Sequence, residues 1–189
     1  MIKYLIFFSV CLASNPVDDW IDEHVDILES NIKSVSFQFS IYSESFNIPE
    51  DSVIVSKIIV GKKKQFRFEM GPRIVVSNGL IWKSYDARSN QIFIQSPDKQ
   101  LEKSLFAWVK YKRIKALPAK LESDGGYRLN LLGKENDVRT YFYSDSNVLK
   151  SIIIKQNGFQ LEISKISLAI EEHLDLNIGN DKSITFDLR

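Results

Sequence analysis

Cysteine is all but missing: the 189-residue chain has one, Cys11. A disulfide scaffold and a cysteine-based zinc site are therefore both excluded. Histidine is nearly as scarce. His24 and His173 are the only imidazoles, neither belongs to a His-Glu-x-x-His motif, and no metal-ligand spacing surrounds them. Eight glycines and five prolines exclude collagen-like and low-complexity classes. An excess of one charge is also lacking: 25 Lys+Arg against 24 Asp+Glu leaves +1, which argues against a generic polyanion binder such as a nucleic-acid domain. There is no glycine-rich phosphate loop and no Gly-x-Ser-x-Gly elbow, so the sequence points to no catalytic group and no cofactor.

What the chain has in quantity is apolar and aromatic surface. Hydrophobic residues make up 44% and aromatics 12%, with 12 Phe, 7 Tyr and 3 Trp. A chain of this composition folds around a core, and its length suits one domain rather than two.

Residues 1–14 read as an export signal rather than as part of the fold. Lys3 precedes an apolar run from Tyr4 to Ala13, interrupted only by Ser9. That run is shorter than the ~20 residues a spanning helix needs but suits a signal-peptide core, with cleavage after Ala13. Lipidation of Cys11 is the alternative, set against by Val10 where a small residue normally precedes such a cysteine. The mature domain is expected over 15–189.

Asn15-Pro16 opens a helix, with Asn at the N-cap and Pro at the first helical position. Ile21, Val25, Leu28 and Ile32 form its apolar stripe, and Asp18, Asp19, Asp22, Glu23, Asp26 and Glu29 its solvated back rather than a calcium site. From Val35 the period becomes two. Strands are expected at 35–41, 53–60, 66–70, 74–77, 80–85 and 91–95, with Asn78-Gly79 as a tight type I′ hairpin turn. A second helical region follows Ser96-Pro97-Asp98, in which Leu101, Leu105, Trp108 and Val109 share a face. It is basic where the first helix is acidic, through Lys110, Lys112, Arg113 and Lys115. That run reads as a solvated helix face, as an attractor of anionic partners, or as the partner of the acidic helix in a charge-paired lid. Strands resume at 127–132, 138–143, 148–155, 159–166 and 183–188, and Glu171-Glu172-His173 reads as a solvated strand end. About ten strands and two helical pieces predict a mainly β fold (α+β), a long antiparallel meander curled into a half-barrel, with the amphipathic helices turned inward.

The stretch Gly61-Lys62-Lys63-Lys64-Gln65-Phe66-Arg67-Phe68-Glu69-Met70, followed by Ser77-Asn78-Gly79-Leu80-Ile81-Trp82-Lys83-Ser84-Tyr85-Asp86, resembles the LolA family of periplasmic carriers of outer-membrane lipoproteins. The resemblance extends over 15–188 in element order. It implies an unclosed antiparallel β-barrel with a helical lid over a hydrophobic cavity, and a chaperone without enzymatic activity. It further implies triacylated lipoproteins as cargo, an inner-membrane lipoprotein-releasing ABC transporter as donor and an outer-membrane lipoprotein receptor as acceptor. A periplasmic monomer without nucleic-acid partners is expected. Carried over to this chain, the cavity lining is Phe37, Phe39, Phe66, Phe68, Met70, Trp82, Leu105 and Trp108, and Phe66→Glu or Phe68→Glu is expected to impair uptake with the fold intact. The family's arginine thought to hold the lid maps onto Lys62, which lacks the guanidinium fork. Three alternatives stand beside the carrier: an outer-membrane receptor of the same fold, a lipid-binding sensor domain, and a hydrolase built on a non-sequential acid pair.

Overall fold

The computed structural model describes residues 15–43, 53–99, 102, 106, 108–115, 117–129, 137–143, 148–156 and 159–189. The proposed export segment, Cys11 and Leu105 lie outside them.

The N-terminal helix starts as its sequence dictates. Asn15 caps it by accepting a hydrogen bond from the Val17 N–H (3.1 Å), and Pro16 occupies the first turn. It is two short helices rather than one. In α1 (Pro16–Glu23) and α2 (Val25–Glu29) the apolar stripe is kept, but His24 (φ −105°, ψ 12°) interrupts the helix, its N–H bonding to the Ile21 carbonyl at 3.1 Å. Val17, Ile21 and Leu28 are buried. The ammonium of Lys33, buried at the start of the first strand, closes the C-terminus of α2 by donating to the carbonyls of Leu28 and Ser30. Burial pushes that ammonium below its usual pKa.

Among the described residues twelve strands form one unclosed sheet: β1 (Lys33–Ser43), β2 (Ile54–Val60), β3 (Gln65–Met70), β4 (Arg73–Asn78), β5 (Trp82–Asp86), β6 (Gln91–Gln95), β7 (Lys120–Leu121), β8 (Tyr127–Leu129), β9 (Asp137–Phe142), β10 (Leu149–Gln156), β11 (Phe159–Ile170) and β12 (Ile184–Asp187). The spatial order is β12-β6-β5-β4-β3-β2-β1-β11-β10-β9-β8-β7. Two antiparallel meanders therefore meet at the β1–β11 pair, and among the described strands only the β12–β6 pair is parallel. The expected strands are present, with the two-residue β7 unanticipated. The turn after β4 differs from the expected type I′. That type needs positive φ at both central residues, whereas here only Gly79 has it (+92°), and the Asn78 side chain instead accepts from the N–H groups of Leu80 and Ile81. A Cβ on Gly79 would lie 2.4 Å from the Lys63 carbonyl oxygen, so this turn packs directly on the β2–β3 turn.

One face of the sheet carries the helical elements. The connection from β6 to β7 joins the two ends of the sheet, and the helical pieces it contains, a 3₁₀ turn (Trp108–Lys110) and α3 (Tyr111–Lys115), lie on that face. Val17, Ile21, Leu28 and Tyr111 pack with Leu129 on the β8–β11 half, while Phe106 and Val109 pack against Val35, Ile58, Val60, Phe66 and Trp82 on the other.

The opposite face is crossed by the segment after β11. Arg67 on β3 fastens it: its Nη1 donates to the carbonyls of Asp175 (3.3 Å) and Asn177 (2.9 Å), and its Nε donates to Glu69 (2.6 Å). Leu174 lies over Gly61, and Gly179 over Ile92. Glu171, expected as a solvated strand end, is an anchor that accepts from the Ser34 hydroxyl (2.6 Å) and pairs with Lys57 (2.7 Å), which holds its carboxyl below the usual range. Charge-assisted bonds to carbonyls are the stronger kind. Arg67→Ala is expected to cost about 2 kcal/mol in urea unfolding and to open 172–183 to limited proteolysis, with cleavage elsewhere unchanged.

Candidate functional site

Antiparallel partners directly opposite one another share a face, so the register assembles the helix-bearing face row by row. The central row is Leu168–Val35–Ile58–Phe68–Val75–Ser84–Phe93, and β12 extends it with Phe186, stacked on Phe93 (ring centroids 5.3 Å, 15°). Seven residues from β1 to β12, at ~4.8 Å per strand, make a nearly continuous apolar stripe about 29 Å long. On one side runs Lys33–Val60–Phe66–Ser77–Trp82–Gln95, and on the other Phe37–Ser56–Met70–Arg73–Asp86–Gln91. The second flank becomes polar at its end, where Arg73 pairs with Asp86 (3.2 Å).

The residues expected to line a cavity fall into two groups. Phe66, Phe68 and Met70 share a face, as do Phe37 and Phe39, as strand parity predicts, and the register puts both sets and Trp82 on one face. Phe66 and Trp82 are sealed at 0% and 1% exposure, in edge-to-face contact at 5.3 Å, with Phe106 edge-on to Phe66 at 5.7 Å. Phe39 is also buried. Phe37, Phe68 and Met70 are half-buried. Trp108 falls in the 3₁₀ turn, and its side chain, like Leu105, lies outside what is described. The burial of Phe66 separates the two glutamate substitutions expected to be tolerated: at Phe66 the charge enters the core, and only at Phe68 does it meet partly open surface.

Lys62 sits exposed in the β2–β3 turn, where its carbonyl accepts the Gln65 N–H (3.0 Å). Its neighbour Lys64, held at φ 65°, is the lysine that reaches the β6–β7 connection, pairing with Glu102 at 3.1 Å.

The acidic and basic helices do meet. Lys115 donates to the Asp22 carboxylate (2.6 Å), and Glu29 accepts from the Tyr111 hydroxyl (2.5 Å) with Lys112 at 3.2 Å from the same oxygen. Tyr111 carries no signal in the sequence, because a tyrosine inside a basic run reads as helix surface. The Tyr111 hydrogen bond, then Lys112, hold the Glu29 carboxyl below the usual glutamate range, and hydrogen bonds to Glu29 and Asp22 hold Lys112 and Lys115 above the usual lysine range. A lowered carboxyl pKa gives stability that is present above the ordinary value near 4.5 and lost as pH falls through the lowered one. A raised ammonium pKa gives stability present below about 10.5 and lost above the raised value. Amide protection of 111–115 is therefore expected to be flat across neutral pH and to fall below pH 4.5. Glu29→Gln should remove the Glu29 part of that acid step, and higher salt should lower the neutral plateau.

Among the described residues, two buried polar atoms on this face have no hydrogen-bond partner: Trp82 Nε1 and Ser56 Oγ. No group of three or more metal-ligating side chains gathers among the described residues. No helix among them is long and apolar enough to cross a membrane.

No family model matches the chain, and no curated protein matches it. Similar solved structures include an uncharacterized conserved protein from Thermus thermophilus, 10% identical over 90% of this chain and 98% of that one, with TM-score 0.49. LprF from Mycobacterium bovis is 8% identical over 83% of this chain and 97% of its own, with TM-score 0.42. MucB, solved in complex with MucA(peri), is 13% identical over 89% of this chain and 61% of its own, with TM-score 0.32.

Proposed function

We propose that this protein is a non-enzymatic periplasmic carrier, which takes up the acyl chains of lipoproteins released from the inner membrane and hands them to an outer-membrane receptor. The observation that carries the reading is the long apolar stripe from Val35 to Phe186, packed at its Val35–Val75 end against Phe106 and Val109 of the β6–β7 connection, whose helix α3 is held to the N-terminal helices by two surface ion pairs and the Tyr111–Glu29 hydrogen bond. The LolA-like pattern from Gly61 to Asp86 supports it, with the protein acting downstream of an ABC transporter that releases triacylated lipoproteins. On this reading the strand sheet is one wall of the acyl site, the helices are its lid, and residues 1–14 direct export.

The physical requirement on a carrier is moderate affinity. Each buried CH₂ contributes roughly 0.8 kcal/mol, so several chains in a rigid matched pocket would be held too firmly to release. Removing a lid from the apolar face offsets part of that gain, and weak polar contacts between the helices suit a lid that must move. The outer-membrane receptor and the sensor domain share this physics and differ in anchoring. Mass spectrometry of the mature N-terminus separates them: a lipidated Cys11 favours the receptor, a chain beginning at Ser14 the soluble carrier.

The deciding experiment is release of triacylated lipoprotein from spheroplasts by the purified protein. The expected result is a soluble stoichiometric complex. Turnover of the lipoprotein without complex formation would sink the carrier in favour of a hydrolase.

A further inference from the structure

Resting on the carrier reading, we propose that the indole N–H of Trp82 is the hydrogen-bond donor to an ester carbonyl at the head of the bound acyl chains. Trp82 is 1% exposed and its Nε1 has no partner. An indole nitrogen can only donate, and its direction is fixed by the ring, so unlike the Ser56 hydroxyl it has no rotation with which to find another acceptor. Buried polar groups are nearly always paired, because a donor stripped of water and left without an acceptor destabilises the fold. The cluster around Trp82 (Val35, Ile58, Val60 and Phe66) is apolar, and the hydroxyl of Ser77, opposite it on β4, accepts the Gly79 N–H (3.0 Å) and not the indole. A water needs two to four polar partners to settle there.

The position of Trp82 fits the ester of an acyl chain better than its tail. It lies on the row flanking the apolar stripe, across the stripe from Ser56, and the cluster it shares with Phe66 is packed against by Phe106, edge-on to Phe66, and Val109. Those two side chains belong to the connection tied down by Lys64–Glu102 and Lys115–Asp22. When a ligand takes their place, its hydrocarbon replaces their apolar contacts and its ester carbonyl supplies the acceptor that Trp82 lacks. The orphaned donor is thus satisfied only in the loaded protein. This favours ligands with a carbonyl at the junction of chain and head over equally hydrophobic ones without it.

Two synthetic lipopeptides with a free amino terminus test this, one with a dipalmitoylglyceryl head and the other its dihexadecyl ether analogue. The wild-type protein is expected to bind the ester form about five- to tenfold more tightly. Trp82→Phe should bind the ether form as the wild type does and show no preference. The Trp82 indole ¹⁵N–¹H signal, assigned by elimination with Trp20→Phe and Trp108→Phe, should move downfield with the ester ligand only, a readout that survives if Trp82→Phe fails to fold. Equal binding of both ligands by the wild type, or a preference that persists in Trp82→Phe, overturns the assignment while leaving the carrier intact. Binding of neither lipopeptide overturns the assignment, while the spheroplast test with triacylated lipoprotein decides the carrier separately.

Discussion

Phe66→Ala is expected to lower the unfolding free energy by about 3–5 kcal/mol, read as a shift of the urea midpoint at unchanged slope. Phe66 is 0% exposed and joins three elements: Val60 beside it on β2, Trp82 edge-on at 5.3 Å from β5, and Phe106 edge-on at 5.7 Å from the β6–β7 connection. Truncation removes a whole ring of contacts and two aromatic pairs, each worth roughly 0.5–1.5 kcal/mol beyond area. It also leaves a cavity between rigid strands, which cannot collapse to fill it. With total stabilities of about 5–15 kcal/mol for ordinary domains, the alanine variant stays marginally folded and Phe66→Glu does not fold. A Phe66→Glu protein with a native-like cooperative transition would contradict the burial that places Phe66 in the core.

Those same residues show what a linear reading reaches. Alternation in Gln65–Met70 puts Phe66, Phe68 and Met70 on one face because side-chain parity is local, and the register confirms it. Parity is silent on depth. Phe66 is sealed while Phe68 is half-open because Phe106 comes to rest on the former, through a connection joining opposite ends of the sheet. Non-local pairing was illegible for the same reason. Nothing in Ile184–Asp187 says that it joins β6 in parallel and sets Phe186 on Phe93, since the choice depends on where Arg67 and Glu171 fasten the preceding segment. The helix start was legible in Asn15 as its cap and Pro16 in its first turn. The break at His24 was not, because the apolar stripe runs through it unchanged.

Phe68→Glu is expected to fold and to lose lipoprotein uptake by more than tenfold. Phe68 stands mid-row between Ile58 and Val75 and is half-buried, so a carboxylate there keeps access to water in the unloaded protein. In the loaded protein it would lie under hydrocarbon, where an unpaired charge costs several kcal/mol. The penalty therefore falls almost wholly on binding. Val55→Glu is the matched control: it sits on the opposite face, opposite Gln38 on β1, is 66% exposed, and carries the same charge. Circular dichroism and urea midpoints should place both variants near wild type, while spheroplast release should proceed with Val55→Glu and fail with Phe68→Glu. Equal uptake by the two would mean that the helix-bearing face is only a core and that acyl chains, if bound, lie elsewhere. A loss with Phe68→Glu that is relieved by lowering the pH below the carboxyl's own pKa would trace the defect to charge rather than to shape, because the protonated side chain can again be buried.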